Sequence, residues 1–283
     1  MGKPILDISD SAFNQKMSIE YELLVHITPD HFNYLIHDSR MHVMTLKSYP
    51  IEHYSGQNTG AGIRDIYVSD NNLSLSYRKI RVAVNSKVYT LIPETFYIQE
   101  NEIDCLREVA DIPDELVVFS NLLPESGIRN IAAMDKSIQA ALKNYFKSLH
   151  LFHNLSPLIS GYRYIAQNKS GKQLFVNLQQ NLAQLLLFDS KELIFSNQFE
   201  FNTTQDCLYY LMLIFDQFQL DQEEIPVFIS GMLLENSEIY QAMYKYIRHI
   251  GFVQVPAHLH FSEHFREVHH HFYFDLYSLT LCE

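Results

Sequence analysis

The stretch that decides the fold runs from Glu22 to Pro50: Glu22-Leu23-Leu24-Val25-His26-Ile27, then Phe32-Asn33-Tyr34-Leu35-Ile36-His37, then Met41-His42-Val43-Met44-Thr45-Leu46-Lys47-Ser48. Each run is rich in β-branched, aromatic and apolar residues, and the connectors Thr28-Pro29-Asp30 and Asp38-Ser39-Arg40 carry turn chemistry. A three-stranded antiparallel meander is predicted. The pattern returns at Leu174–Leu178, Gln184–Phe188 and Leu193–Phe199, with turns at Gln179-Gln180-Asn181 and Asp189-Ser190-Lys191. One offset relates the copies (174 − 23 = 151). It aligns Leu23 with Leu174, Val25 with Val176, Leu35 with Leu186, and Asp38-Ser39 with Asp189-Ser190.

The segments after each meander extend the repeat. After the second, Thr203 and Thr204 can N-cap a helix with Leu208, Leu211, Met212 and Phe215 on one face. A strand at 225–230, a helix at 235–249 and a strand at 252–255 complete a β-β-β-α-β-α-β order. The first half gives a helix near 66–77, a strand at 79–85, an extended stretch at 88–92, a helix at 99–110 and a strand at 115–120. Next come a helix over 135–146, a strand at 149–153 and a helix opening at Ser156-Pro157. The expected division is a first unit at 1–130 and a second at 131–283, the latter with the interdomain helix and the C-terminal segment. Such alternation implies an α/β fold of mixed sheets flanked by helices.

Composition narrows the function. The 283 residues are 47% hydrophobic and 19% charged, as in an ordinary globular protein, and the net charge is 21 − 33 = −12. An acidic surface lacks the attraction for phosphate backbones and anionic lipids, which argues against nucleic-acid partners and membrane surfaces. Cys105, Cys207 and Cys282 are odd in number and far apart, fitting reduced thiols. Residues 1–13 include Asp7 and Asp10 and read as no secretory signal. The apolar run at 208–218 is too short to span a bilayer. A cytoplasmic location without membrane insertion is expected.

Two β-β-β-α-β-α-β units resemble the duplicated ribonuclease H-like plan of the actin-like ATPases. The chain is similar to the cytoplasmic actin-like proteins of pilus-assembly and type II secretion platforms, and more closely to an uncharacterised bacterial family thought to share this fold. The closer likeness rests on Tyr89-Thr90-Leu91-Ile92-Pro93-Glu94-Thr95-Phe96, Phe152-His153-Asn154 with Ser156-Pro157-Leu158-Ile159, and His271-Phe272-Tyr273-Phe274-Asp275-Leu276. The resemblance implies a nucleotide cleft whose phosphates are wrapped by glycine-bearing D-x-G turns after the first strand of each half. It also implies paired glycines at the adenosine site and a final helix packed on the body.

The corresponding positions are degraded. Thr28 and Asp30 occupy the first turn and Gln179 and Asn181 the second, and neither turn contains glycine. Pro29 removes a backbone donor as well. At the adenosine site Ser230-Gly231 keeps one glycine of two, a residue that a strand-to-helix turn at positive φ equally explains. Nuclease chemistry needs converging carboxylates on the first strand. His26 and Asn177 stand there, while Asp38 and Asp189 lie in turns at the opposite end.

Other motifs are weaker. Gly56-Gln57-Asn58-Thr59-Gly60-Ala61-Gly62 lacks the Lys-Ser or Lys-Thr of a phosphate loop and reads as a mobile loop or partner-binding insertion. His260 and His264 stand at i, i+4, so a helix there could hold zinc with His258 or Glu267. The leading expectation is a non-catalytic cytoplasmic actin-like protein, a pseudo-ATPase with no cofactor or metal, that scaffolds or binds another protein or a second copy of itself. The alternatives are an actin-like ATPase or sensor binding ATP with magnesium in a remodelled cleft, and zinc binding through His258, His260 and His264.

Overall fold

The computed structural model describes residues 3–51 and 59–283. They form two compact units: one contains the chain up to Pro157 with Ala257–Val268 and Leu276–Glu283, the other Leu158–Pro256 with His269–Asp275.

The first unit is organised by the predicted meander. An edge strand, β1 (Leu6–Ser9), precedes β2 (Glu22–Ile27), β3 (His31–His37) and β4 (Val43–Pro50). Helix α1 (Thr59–Ser69) leads into β5 (Lys79–Val84). Next come β6 (Tyr89–Pro93), α2 (Glu102–Arg107), β7 (Leu116–Leu123), β8 (Ile128–Asp135), α3 (Lys136–Tyr145) and β9 (Leu149–His153). The main sheet has the order β1-β4-β3-β2-β5-β9, with β2, β5 and β9 parallel and the meander antiparallel. Every residue of β2 is buried, as befits a central strand covered on both faces. Residues 131–157, placed by the sequence with the second half, therefore complete the first sheet through β9. The strand expected at 115–120 is not its last strand. It is β7 of a separate three-stranded antiparallel sheet, β6-β8-β7, inserted between β5 and α3.

The second unit repeats the plan without that insertion. After α4 (Leu155–Ala166), in which the unit boundary falls, come β10 (Lys172–Gln179), β11 (Leu182–Asp189), β12 (Glu192–Glu200), α5 (Thr204–Gln217), β13 (Val227–Gly231), α6 (Glu238–Tyr244) and β14 (Ile250–Phe252). The sheet order β12-β11-β10-β13-β14 matches β4-β3-β2-β5-β9. Register irregularities fall between Ile36 and His37 in β3 and between Leu187 and Phe188 in β11, again 151 residues apart (187 − 36 = 151). A β-bulge is a specific backbone feature rather than a by-product of apolar alternation, so its repetition supports the duplication more strongly than the shared leucines.

Local chemistry sets the helix ends. Thr203 and Asp206 form a reciprocal capping box at α5, whose buried stripe is Cys207, Leu211, Ile214 and Phe215, while Leu208 and Met212 are half-buried. Asp135 caps α3 by accepting from the Ser137 N–H at 2.6 Å. Helix α4 starts at Leu155, one residue before the expected Ser156 cap. The C-terminal stretch forms the final helix that the resemblance implies, as a short α7 (Phe274–Ser278) flanked by 3-10 turns.

Of the glycine-rich segment, Gly56-Gln57-Asn58 lies outside the described residues, while Thr59-Gly60-Ala61-Gly62 is the first turn of α1 rather than loop. A β-carbon on Gly60 would stand 2.5 Å from the Ser137 carbonyl oxygen of α3. This glycine serves close helix packing. Gly60→Ala is therefore expected to lower stability by about 1–3 kcal/mol despite the better helix propensity of alanine. Urea unfolding midpoints measure this, and an unchanged or raised midpoint would show that α1 and α3 separate freely.

Candidate functional site

Of the two strand-end turns that the resemblance assigns to phosphate, the first is closed by its own hydrogen bonds and the second is tied to the C-terminal stretch. In the first, between β2 and β3, the Thr28 N–H donates to the His31 carbonyl at 2.9 Å, and the His31 N–H donates to Thr28 Oγ1 at 2.9 Å. Thr28 Oγ1 donates to Asp30 Oδ1 at 2.7 Å, and His31 Nδ1 lies 2.7 Å from Asp30 Oδ2. Burial raises the Asp30 pKa, but the His31 and Thr28 hydrogen bonds outweigh it and hold the carboxyl below its ordinary range. Pro29 has no N–H to offer. The carboxylate that the resemblance would aim at magnesium is thus held inside its hairpin.

The second turn joins β10 to β11 through Gln180 and Asn181, with Gln180 at φ +48. The side chain of Gln179 donates to Asp275 Oδ2 at 2.6 Å, across 96 residues of sequence. Directly beside this turn β13 ends at Gly231, the register partner of Leu178. Gly231 has φ +89, and a β-carbon there would stand 2.0 Å from the Leu178 carbonyl oxygen. That carbonyl accepts the Met232 N–H at 2.8 Å, while the Leu233 N–H donates to the Gly231 carbonyl at 2.9 Å. Glycine is required twice over, by its dihedral and by its neighbour.

Below this junction a polar row crosses the second sheet. Asn177 donates to Gln184 Oε1 at 2.9 Å and accepts from Ser230 Oγ at 2.9 Å, and Ser230 also meets the Tyr162 hydroxyl at 2.5 Å. All four side chains are buried, and burial raises the Tyr162 pKa. Tyr162 in turn stacks on Phe175 and Phe274. Asn177, at the position where a nuclease carries a carboxylate, is a member of this row. Asp38 is a turn residue, as expected, accepting from the Arg40 and His42 N–H groups at 2.8 Å each.

The three motif segments meet in two places. In the first unit, Asn121 of β7 donates to the Leu151 carbonyl at 2.7 Å and accepts the His153 N–H at 2.8 Å, covering the outer edge of β9. Asn130 of β8 donates to His153 Nδ1 at 3.1 Å and to Ser156 Oγ at 3.0 Å. With Nδ1 accepting, the ring proton sits on Nε2, which donates to the Ser86 carbonyl at 3.0 Å. Tyr89 packs its ring 4.9 Å from that of His153, and Glu94 takes a two-pronged ion pair from Arg129 at 2.6 and 2.9 Å. In the second unit, His271 bonds the Leu233 carbonyl at 2.8 Å and stacks on Phe252, and Asp275 holds Gln179. The motif residues fasten the small sheet to β9 and the chain end to the second turn.

The sequence reading missed two buried carboxylates. Glu22 opens β2 between Arg78 and Arg81, and Asp70 accepts from the Tyr34 and Tyr49 hydroxyls at 2.6 and 2.7 Å with Lys47 at 3.2 Å. Both are fully engaged in structure. Acidic residues in β-rich surroundings carried no spacing signal for this.

The helix on which the zinc alternative depends does not form. His260 sits in a backbone bridge to His42, and the helical turn nearby covers only Glu263–Phe265. His258 Nε2 contacts Thr280 Oγ1 at 2.7 Å, and His264 contacts Ser262 Oγ at 3.3 Å. Among the described residues no group of three or more His, Cys, Asp or Glu side chains is placed to hold a metal ion. No helix among them is long and apolar enough to cross a membrane.

A family model described as "Protein of unknown function (DUF3822)" matches residues 10–250. The chain belongs to this family. No curated protein matches the sequence significantly. Among solved structures, a Bacteroides thetaiotaomicron VPI-5482 protein with an actin-like ATPase fold and unknown function aligns with TM-score 0.81 at 19% identity, covering 96% of this chain and all of that one. The PilM–PilN type IV pilus biogenesis complex aligns with TM-score 0.58 at 12% identity, covering 93% of this chain and 98% of that one. The cytoplasmic domain of EpsL, an inner membrane component of the Vibrio cholerae type II secretion system, gives TM-score 0.44 at 12% identity over 83% and 90% of the chains. This DUF3822 member has the actin-like ATPase fold.

Substitutions at two buried polar sites of this family member have defined outcomes. Gly231→Ala should lose about 2–4 kcal/mol of stability in urea unfolding, and Gly231→Asn, which tolerates positive φ, should not recover it; recovery would reduce the requirement to the dihedral alone. Desolvation, opposed by the Ser86 hydrogen bond, lowers the His153 pKa from 6.5 to about 4. Between those values the unfolded chain binds the proton and the folded one does not. His153's contribution is therefore present above pH 6.5 and lost as pH falls towards 4, by up to about 3 kcal/mol. Unfolding of wild type and His153→Gln at pH 7 and 4.5 checks this: the wild type should lose more stability between the two, and equal losses would contradict it.

Proposed function

We propose that the protein is a non-catalytic actin-like protein of the cytoplasm that acts by binding another protein, with nucleotide hydrolysis lost. The observation that carries this reading is the first turn. Its Thr28 and His31 N–H groups bond within the hairpin, Pro29 contributes none, and Asp30 is bound by Thr28 beside His31. A phosphate there would have to displace several short hydrogen bonds, each contributing about 1 kcal/mol or more. The second turn adds to the argument, because the N–H groups after Gly231 already have carbonyl partners.

Protein binding is supported by the fold's company and by surface chemistry. PilM, similar in fold to this chain, was solved as a complex with PilN. The inserted small sheet and its flanks expose Phe96, Ile98, Ile103, Val109 and Leu122, an apolar content of the kind found at partner surfaces.

Thermal unfolding with and without ~2 mM magnesium-ATP tests the reading. A ligand present at about 100 times its Kd would add about 2.7 kcal/mol and raise Tm by roughly 5 °C or more. The expected shift is below about 1 °C, and a shift of several degrees would restore nucleotide binding, with Gly231 as its first suspect. Light scattering across a concentration series separates a second copy from a different partner, because self-association makes the mass rise with concentration.

A further inference from the structure

The first unit carries a half-open groove of about 640 Å³ between α3 and β9. Its floor is apolar, formed by Met134, Leu142 and Phe146, all buried, with Leu149 partly exposed. Lys143 and Lys147 are the charged residues lining it, and both are exposed. Local structure puts them there. Phe146 ends α3 with its N–H on the Leu142 carbonyl, and Ser148 at φ +54 turns the chain into β9, leaving Lys147 on the turn and Lys143 one helical turn earlier.

Among the described residues no acidic side chain lines the groove. Neither lysine takes part in an ion pair among the described residues. In a chain with 33 acidic and 21 basic residues, an apolar floor with a purely cationic rim is a local reversal of the surface field. It favours an occupant that is both apolar and negatively charged. The open side and the apolar floor suit a peptide segment with apolar anchors.

We propose that this groove docks an acidic amphipathic segment of a partner protein, its apolar side chains on Met134, Leu142, Phe146 and Leu149 and its carboxylates at Lys143 and Lys147. The proposal rests on the partner-binding reading and names the chemistry of the partner.

Photo-cross-linking from p-benzoylphenylalanine at Gln139, which lines the groove, tests it in the cells that make the protein. The expected product joins Gln139 to a peptide of another protein that combines apolar residues with net negative charge. Its yield should fall at least about tenfold in the Lys143→Glu/Lys147→Glu variant, whose unfolding midpoint should match wild type because both side chains are exposed. A basic peptide, a peptide of this same chain, an insensitive yield or no product would each overturn the proposal. The same probe at exposed Tyr209 on α5 separates the two failures. Capture there but not at Gln139 removes the groove and leaves partner binding standing, whereas a magnesium-ATP shift removes the non-catalytic reading and not the cross-link.

Discussion

A backbone N–H at the end of a strand can donate to a neighbouring carbonyl or to a bound anion, and in a buried setting it must do one of them. In this protein the strand ends have taken the first course. The Leu178 carbonyl lies where a β-carbon of residue 231 would be and accepts from Met232, and the Thr28 and His31 N–H groups close their own hairpin. These bonds lie where β10 pairs with β13 and where β2 turns into β3. Asp275 holding Gln179 and the row Gln184-Asn177-Ser230-Tyr162 extend the same logic sideways, so that polar side chains near the second turn bond to one another within the unit.

The residues through which the chain resembles its family are explained by the same need. His153 is wholly buried and neutral, with one ring nitrogen accepting from Asn130 and the other donating to Ser86. Asn121 replaces a missing neighbour strand at β9 by bonding both Leu151 and His153. A buried network of this kind fixes one arrangement, because leaving any member without a partner costs about 1–3 kcal/mol. It positions the inserted sheet on β9 and is an architectural device.

The meanders were legible because alternation and turn chemistry act locally. Glu22–Ile27 and Leu149–His153 were placed to the residue, and Asp38 took its turn role. β1 escaped notice because Leu6–Ser9 is a four-residue edge strand with every second side chain exposed. β8 escaped because Arg129, Asn130 and the two alanines after Ile131 dilute its strand character. Without β8 the insertion could not be seen, and β7 was taken for the end of the first sheet. The turn positions Thr28, Asp30, Gln179 and Asn181 were identifiable from the repeat, whereas Ser230 and Gly231 were singled out through the resemblance. The partners that close them were not: Asp275 is 96 residues from Gln179, and nothing in periodicity joins them.

Duplication also shows where the two units have diverged. Both keep the meander, the bulge, and the parallel strands after it. The first unit alone carries β6, α2, β7 and β8 between its last two parallel strands. An insertion there lengthens the connection before α3 and sets β7 along the outer edge of β9, an addition with no counterpart in the sheet order of the second unit. The insertion leaves apolar side chains exposed, and its Met134 joins α3 and β9 in the groove with the cationic rim. At the first turn the strand ends bond to one another, while the insertion leaves apolar side chains exposed.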